Sequence, residues 1–356
     1  MKPLLTIICI SYNQEKYIRQ TIEGFLMQKV NFAYEIIVHD DASTDGTKEI
    51  IQEFVKKHPN VFVPMLEKEN QYSKTGVLFL KGMYQKARGK YIAVCEGDDF
   101  WTDPNKLQTQ VDFMEENPDY TVCFHQVNVV YDNHDKKDQI YPDVKNKAWY
   151  TTTELLKINY IQTNSVLYRK QNYDNLITNV IPTDWYVHLF HASFGKIKFI
   201  EKNMSVYRKH PGGIWWDYDI NRDKIWIKHG VDHLAMWIEL KKIYAHKHPN
   251  YIKVIDGHIR QMIETLVCID QDYQHNTMMQ VATRFPEEVN LYLLFQRGEI
   301  KKSQALVSDY EKTIANKQEA LKVQAKELNV IKNTYLWKMR SGIVHFLKRL
   351  GIHKNT

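Results

Sequence analysis

Two adjacent aspartates, Asp98 and Asp99, are the residues of this chain whose types and spacing most directly suggest chemistry. They follow the apolar run Tyr91–Cys95, which is typical of a buried strand, so both carboxylates should emerge at its carboxyl end, where open α/β sheets bind ligands. Hard ions such as Mg²⁺ or Mn²⁺ accept such carboxylates together with phosphate oxygens. The pair therefore predicts a metal site that holds a diphosphate. The alternative is an acidic turn before a helix that begins near Asp103 and Pro104.

A second pair of aspartates, Asp40 and Asp41, ends the string EIIVHDD and should close a neighbouring strand. Carboxylates at the ends of neighbouring parallel strands line one crevice, where they can accept hydrogen bonds from a base edge or from ribose hydroxyls. Tyr12, which follows the first strand, offers a flat face for a base, although packing is the more frequent role of such a tyrosine. We expect Asp41 to contact a nucleoside, and residues Ser43–Asp45 to cap the next helix.

The elements that carry these residues alternate along the chain. Strand-like runs such as Leu4–Ile10 and Glu35–Asp40 are separated by segments with helical periodicity, which predicts a mostly parallel α/β sheet of nucleotide-binding layout. The sequence has neither a Gly-x-Gly-x-x-Gly turn after the first strand nor a Walker lysine loop, which argues against a dinucleotide cofactor and a P-loop. Ile197–Ile200 and Met204–His210 are expected as two separate strands. From about Asp219 onward the pattern changes to long helices.

The composition is that of an ordinary globular protein, since the 356 residues are 44% hydrophobic and 25% charged. The net charge of +6 is mild and the basic residues form no nucleic-acid-binding motif, so no nucleic acid is expected as a partner. The four cysteines are widely spaced, which favours a reducing compartment. No apolar segment is long enough to span a bilayer and no signal-peptide pattern begins the chain. We therefore expect a cytoplasmic location, free or on the inner surface of the cell membrane.

Three strings in order give the chain a family resemblance. TIICISYNQEKYIRQTIEGFLMQ, EIIVHDDASTDGT and GKYIAVCEGDDFW, the last followed by Pro-x-Lys-Leu, together resemble the family 2 glycosyltransferases with the GT-A fold, which are inverting enzymes that use nucleotide sugars. The resemblance covers about the first 215 residues. It implies that Tyr12 and Asp41 hold the nucleobase, and that Asp98 and Asp99 lie in the family's Asp-x-Asp region with Mn²⁺ or Mg²⁺ as cofactor. Glu96 stands where the family usually has the first aspartate, and it can still accept a hydrogen bond from the donor's ribose, so the metal should rest mainly on Asp99 with Asp98 beside it.

The same resemblance implies a general base and a basic loop. Asp184 resembles the residue that takes the proton of the attacking acceptor hydroxyl, although an acid shortly after Pro182 is also a favourable first-turn residue of a helix. In the string VYRKHPGG, Arg208 would neutralise diphosphate charge and His210 would add a metal ligand. A solvated basic loop is the alternative for this string.

We therefore expect three segments: a GT-A catalytic domain over residues 1–215, a helical domain over residues 216–300, and a helical tail over residues 301–356. The end of the tail, from Tyr335 onward, alternates apolar and basic residues and has no acidic residue. This pattern is typical of a helix that lies on an anionic membrane surface, and docking on the protein itself or on a second subunit is the alternative.

The predicted activity is transfer of a sugar from a nucleotide-sugar donor, with a UDP-type donor favoured, to a hydroxyl of a glycan or lipid-linked glycan in surface polysaccharide assembly. Two alternatives remain open. A non-catalytic glycan-binding or scaffold subunit would show no turnover, and a nucleotidyltransferase usually carries a glycine-rich phosphate loop, which ISYNQEKY lacks. The sequence does not choose the donor sugar, the acceptor or the linkage, and it leaves a homo-oligomer open.

Overall fold

The computed structural model describes residues 2–296 except 77, 133–135, 144–149, 178, 214–215, 217–221, 248 and 274–276. Its strands are Leu5–Ser11 (β1), Tyr34–Asp40 (β2), Phe62–Leu66 (β3), Tyr91–Val94 (β4), Phe100–Trp101 (β5), Tyr120–Tyr131 (β6), Gln139–Tyr141 (β7), Leu167–Arg169 (β8) and Lys196–Lys209 (β9). In the described residues these nine strands form one sheet in the order β3-β2-β1-β4-β8-β6-β9-β5, and β7 pairs with β6.

Helices connect and flank these strands. They are Ile18–Leu26 (α1), Thr47–Lys57 (α2), Gln71–Thr75 (α3), Leu78–Lys86 (α4), Lys106–Glu116 (α5), Thr152–Lys157 (α6), Thr183–Ala192 (α7), Arg222–Tyr244 (α8), Pro249–Tyr273 (α9), Thr277–Arg284 (α10) and Pro286–Gln296 (α11). The strand and helix alternation of the first hundred residues is therefore as the sequence predicts.

The first half of the sheet is parallel. β1 pairs in parallel with β2 on one side and β4 on the other, and β3 pairs in parallel with β2. Leu5, Ile7, Ile8 and Cys9 of β1 are fully buried, as expected of a central strand that is covered on both faces. The carboxyl ends of β1, β2 and β4 consequently meet at one edge of the sheet.

The second half of the sheet is mixed, and one strand there differs from the expectation. β9 is continuous over Lys196–Lys209, where the sequence suggested two strands. His125 pairs with Ile200 and the next residue, Gln126, pairs with Asn203, so two residues of β9 have no partner on β6 at that point. A bulge of this kind lets one strand continue through a polar stretch that interrupts its apolar pattern.

Two compact units divide the chain. The first holds the described residues of Met1–Asp217 and Lys242–Tyr251, and the second holds those of Tyr218–Lys241 and Ile252–Thr356. The described part of the second unit is helical, with a core that includes the buried Trp237. None of the helices between residues 2 and 296 is both long and apolar enough to cross a membrane. The predicted tail over residues 301–356 lies outside the described residues.

Candidate active site

The two acidic residues predicted from the sequence lie in the short loop between β4 and β5. This loop continues along β1 after β4 has ended, because the N–H of Cys95 donates to the carbonyl of Ile8 at 3.0 Å and the N–H of Gly97 donates to that of Ile10 at 2.9 Å. Carboxylate oxygens of Glu96, Asp98 and Asp99 all lie within 4.8 Å of one another. The loop therefore gathers three acidic side chains at the carboxyl edge of the parallel strands.

Gly97 allows this loop to pack closely against the end of β1 and the start of α1. A Cβ atom at this position would lie 2.4 Å from Oε1 of Gln14, and 3.0 Å from both Cβ of Ser11 and Cδ1 of Ile18. The hydroxyl of Thr21 on α1 donates to the carbonyls of Gly97, at 2.8 Å, and Asp99, at 2.6 Å. A residue without a side chain between the acidic residues therefore suits this close packing.

The end of β9 closes over the same loop. The backbone N–H of Arg208 donates to Oδ1 of Asp99 at 2.9 Å, and Nε2 of His210 lies 3.0 Å from Oδ2 of Asp98. Asp99 is 1% exposed, so its carboxylate depends on this backbone donor. Arg208 and His210 therefore contact the acidic loop directly, although they lie more than a hundred positions after it in the sequence.

Four protein groups contact the guanidinium of Arg208. It lies 5.0 Å from the centre of the Tyr17 ring and 4.4 Å from that of the Phe100 ring, and it donates to the carbonyl of Asp98 at 2.5 Å and to the side chain of Gln20. Sandwiching between two aromatic faces fixes the plane of a guanidinium. Arg208 thus joins α1, the acidic loop and β9.

The acidic cluster carries strong electrostatic repulsion. Loss of hydration, followed by repulsion from Asp98 and Asp184, raises the pKa of Glu96 to about 8. Burial raises the pKa of Asp99 well above its usual range, the charges on Asp98 and Glu96 add to this, and the N–H of Arg208 opposes it. Such a cluster is relieved by a divalent cation, and carboxylate oxygens are the donors that Mg²⁺ and Mn²⁺ prefer. The donor set fits the predicted metal, with the imidazole of His210 beside it.

Asp184 lies in the first turn of α7 and belongs to the same region. Its charge is close enough to raise the pKa of Glu96. Burial raises the pKa of Asp184, while the backbone N–H of Trp185 and the side chain of Asn159 lower it by hydrogen bonding. Nδ2 of Asn159 donates to Oδ2 of Asp184 at 3.1 Å. Asn159 was missed by the sequence analysis, because a lone asparagine in a connecting loop carries no motif.

The residues proposed for the nucleoside also meet at this edge. Ser11 and Asp40 are paired in the register of β1 and β2, which brings Tyr12 and Asp41 to neighbouring positions. The side chain of Tyr12 is 46% exposed and open to a ligand. Asp41 is buried, and its carboxylate accepts the N–H groups of Gln71, at 2.6 Å, and of the following residue, at 3.0 Å. These bonds occupy one lone pair on each oxygen of Asp41.

The amino-acid sequence is similar to those of known glycosyltransferases. The family model described as glycosyl transferase family 2 matches residues 6–178. An uncharacterized protein of Mycobacterium tuberculosis (strain ATCC 25618 / H37Rv) is 43% identical over 246 residues, which are 68% of this chain and 69% of that protein. A protein of Bacillus subtilis (strain 168), provisionally named teichuronic acid biosynthesis glycosyltransferase TuaG, is 39% identical over 115 residues, which are 32% of this chain and 43% of that protein.

One solved structure is similar over most of the chain. It is the mannosyltransferase PcManGT from Pyrobaculum calidifontis in complex with GDP-Man and Mn²⁺, with a TM-score of 0.49 and 16% identity over 82% of this chain and 84% of that chain. The family itself is shown by the sequence matches: the chain belongs to glycosyl transferase family 2. It is a glycosyltransferase with the α/β GT-A fold and a helical carboxyl-terminal region, which confirms the predicted fold and enzyme class.

Proposed function

We propose that this glycosyltransferase moves a sugar, with inversion, from a nucleotide-sugar donor of UDP type to a hydroxyl of a glycan or lipid-linked glycan in surface polysaccharide assembly. The observation that carries the proposal is the cluster of three carboxylates, on Glu96, Asp98 and Asp99, at the carboxyl edge of the parallel strands. The charge of Asp184 acts on Glu96 of this cluster. The role in a surface polysaccharide is supported by the name of the Bacillus subtilis relative.

A divalent cation, Mn²⁺ or Mg²⁺, would be held by Asp99 and Asp98, with His210 as an additional ligand. When bound, it would neutralise charge on the departing diphosphate. Glu96, in the position where the family usually has an aspartate, would accept a hydrogen bond from the donor's ribose. Arg208 would contribute its positive charge to the diphosphate side of the site, from a guanidinium whose orientation is already fixed.

Asp184 would act as the general base. The acceptor oxygen attacks the anomeric carbon on the face opposite the bond to the diphosphate, its proton passes to the carboxylate of Asp184, and the electron pair of the breaking bond leaves with the diphosphate. This single displacement inverts the anomeric centre. Burial raises the pKa of Asp184, which brings a carboxylate closer to the working pH and makes it a better proton acceptor.

The nucleoside would occupy the ends of β1 and β2. Tyr12 offers an exposed ring face for the base. Asp41 retains unoccupied lone pairs for a donor on the base, since a carboxylate has about four acceptor sites and the described bonds use two of them. This arrangement supports a nucleotide donor without selecting the base.

Calorimetric titration tests this proposal. UDP, GDP, CDP and dTDP would each be titrated with and without Mn²⁺ into the wild type, into Asp99→Asn, and into the control Asp112→Asn, which changes an exposed acid on α5. We expect one nucleotide to bind in a metal-dependent manner, with the binding lost in Asp99→Asn and kept in the control. Binding of no diphosphate under any condition would overturn the catalytic proposal and leave a scaffold role.

A further inference from the structure

The loop between α6 and the sheet carries an asparagine that is fixed from two directions. The hydroxyl of Tyr141 donates to the backbone carbonyl of Asn159 at 2.6 Å, and the side-chain oxygen of Asn159 accepts the N–H of Ile161 at 3.3 Å. The remaining group of this side chain, the Nδ2 amide, donates to Oδ2 of Asp184 at 3.1 Å. The side chain of Asn159 therefore links its own loop, through its oxygen, to α7, through its Nδ2 amide.

The orientation of the Asn159 amide follows from its partners. A backbone N–H can only donate, so the oxygen of the side chain must face Ile161. The opposite orientation would place an NH₂ group against that N–H and an oxygen against the carboxylate of Asp184. Both contacts would be repulsive, so the surroundings select the rotamer in which Asn159 donates to Asp184.

Helix α6, which leads into this loop, is attached to α7 by a second bond. Nε1 of Trp185, the residue after Asp184, donates to the carbonyl of Leu155 at 2.7 Å. Helix α6 and the loop after it are thus each joined to the first turn of α7 by a hydrogen bond. A carboxylate supported in this way is held in one rotamer before any substrate arrives, which is the condition for efficient proton transfer.

We propose that Asn159 is a positioning residue for the general base: by holding Oδ2 of Asp184 it fixes the direction in which the carboxylate meets the acceptor hydroxyl. The inference rests on the proposed role of Asp184. The titratable groups that face Asp184 are Glu96 at the end of β4 and the phenols of tyrosines on α4, β7, β8 and β9, namely Tyr84, Tyr141, Tyr168 and Tyr207. None of these facing groups is a cation.

A neutral donor suits a general base better than a cation would. A lysine or arginine at hydrogen-bond distance would lower the basicity of the carboxylate strongly, whereas an amide fixes its direction and perturbs its basicity much less. Asn159 therefore supplies orientation and stabilises the charged form, which burial next to Glu96 disfavours.

The test is a double-mutant cycle on transfer activity. Asn159→Ala, Asp184→Asn and the double variant would be compared with the wild type. Asn172→Ala serves as the control, since Asn172 is exposed and its side-chain oxygen accepts the N–H of Asp174 in its own turn. We expect Asn159→Ala to lower kcat about 10- to 100-fold, because a hydrogen bond to a charged group is lost. The KM for the nucleotide sugar should stay within about twofold, and the double variant should be no slower than Asp184→Asn.

An isosteric variant keeps the shape of the Asn159 side chain and changes its charge. Asn159→Asp keeps the oxygen that accepts the N–H of Ile161 and places a second carboxylate against Asp184. It should move the acidic limb of the kcat/KM profile to higher pH, because a neighbouring negative charge raises the pKa of the base. Asn159→Ala should move it in the same direction by less.

Three results would overturn the inference: a profile unmoved in Asn159→Asp, a full additional loss in the double variant, or a weakened donor KM in Asn159→Ala. The failure of the proposed function is recognised separately, since Asp184→Asn would then keep its activity whatever Asn159 does.

Discussion

A buried lysine behind the acidic loop gives a quantitative prediction. Lys106 on α5 is 0% exposed, its Nζ donates to Oε1 of Gln110 at 2.8 Å, and this nitrogen lies 4.2 Å from the centre of the Trp101 ring. Burial lowers its pKa from 10.5 to about 7. No carboxylate among the described residues forms an ion pair with it. The folded protein therefore carries the cost of burying this ammonium whenever the pH is below about 7.

The sign of the pH dependence follows from the two pKa values. In the unfolded chain Lys106 keeps a pKa near 10.5, so between pH 7 and 10.5 the unfolded chain binds more protons than the folded one. Stability must then rise with pH through this window. One such group gives a slope of about 1.4 kcal/mol per pH unit, so from roughly pH 7.5 to 9.5 the free energy of unfolding should gain about 3 kcal/mol from Lys106 alone.

Lys106→Met isolates this contribution, because methionine keeps an unbranched apolar side chain and removes the charge. The free energy of unfolding would be measured by urea denaturation across this pH range for the wild type, for Lys106→Met and for the control Lys56→Met, which changes an exposed lysine on α2. The control should follow the wild type, and the difference in unfolding free energy between the wild type and Lys106→Met should change by about 3 kcal/mol. Parallel curves for all three proteins would refute the depressed pKa of Lys106.

Three further predictions concern the site. Asp184→Asn should lower transfer at least about 100-fold while leaving nucleotide diphosphate affinity unchanged in calorimetry; substantial turnover would exclude Asp184 as the base. Gly97→Ala should weaken metal-dependent nucleotide binding, since its Cβ would collide with Gln14, whereas Gly82→Ala on α4, with nothing within 4 Å of its Cβ, should bind normally. His210→Ala should weaken Mn²⁺ binding about 10-fold or more, measured in the presence of the nucleotide, and an equal affinity would show that His210 only pairs with Asp98.

The sequence was sufficient for the parallel half of the sheet. Apolar runs of the right length identify β1, β2 and β4, and the shared edge of parallel strands then places Asp41 near the acidic pair without any knowledge of loops. The sequence was insufficient for β9. Polar residues near Asn203 interrupt its apolar pattern, although the strand itself continues through a bulge. The alternation of apolar and polar residues shows which side chains of a strand are buried. A bulge shifts this alternation without ending the strand.

The sequence by itself determined the family, the enzyme class and the edge of the sheet at which the predicted site residues lie. Apolar patterns and short motifs are local, since each extends over at most a few tens of residues. Only the tertiary structure decided which distant groups complete the site. The N–H of Arg208 reaches Asp99 across 109 positions of the chain, and Asn159 reaches Asp184 from a separate loop. Such contacts depend on how strands and helices pack, and packing depends on the whole core at once. No local pattern around Asn159 could therefore have predicted its place beside Asp184.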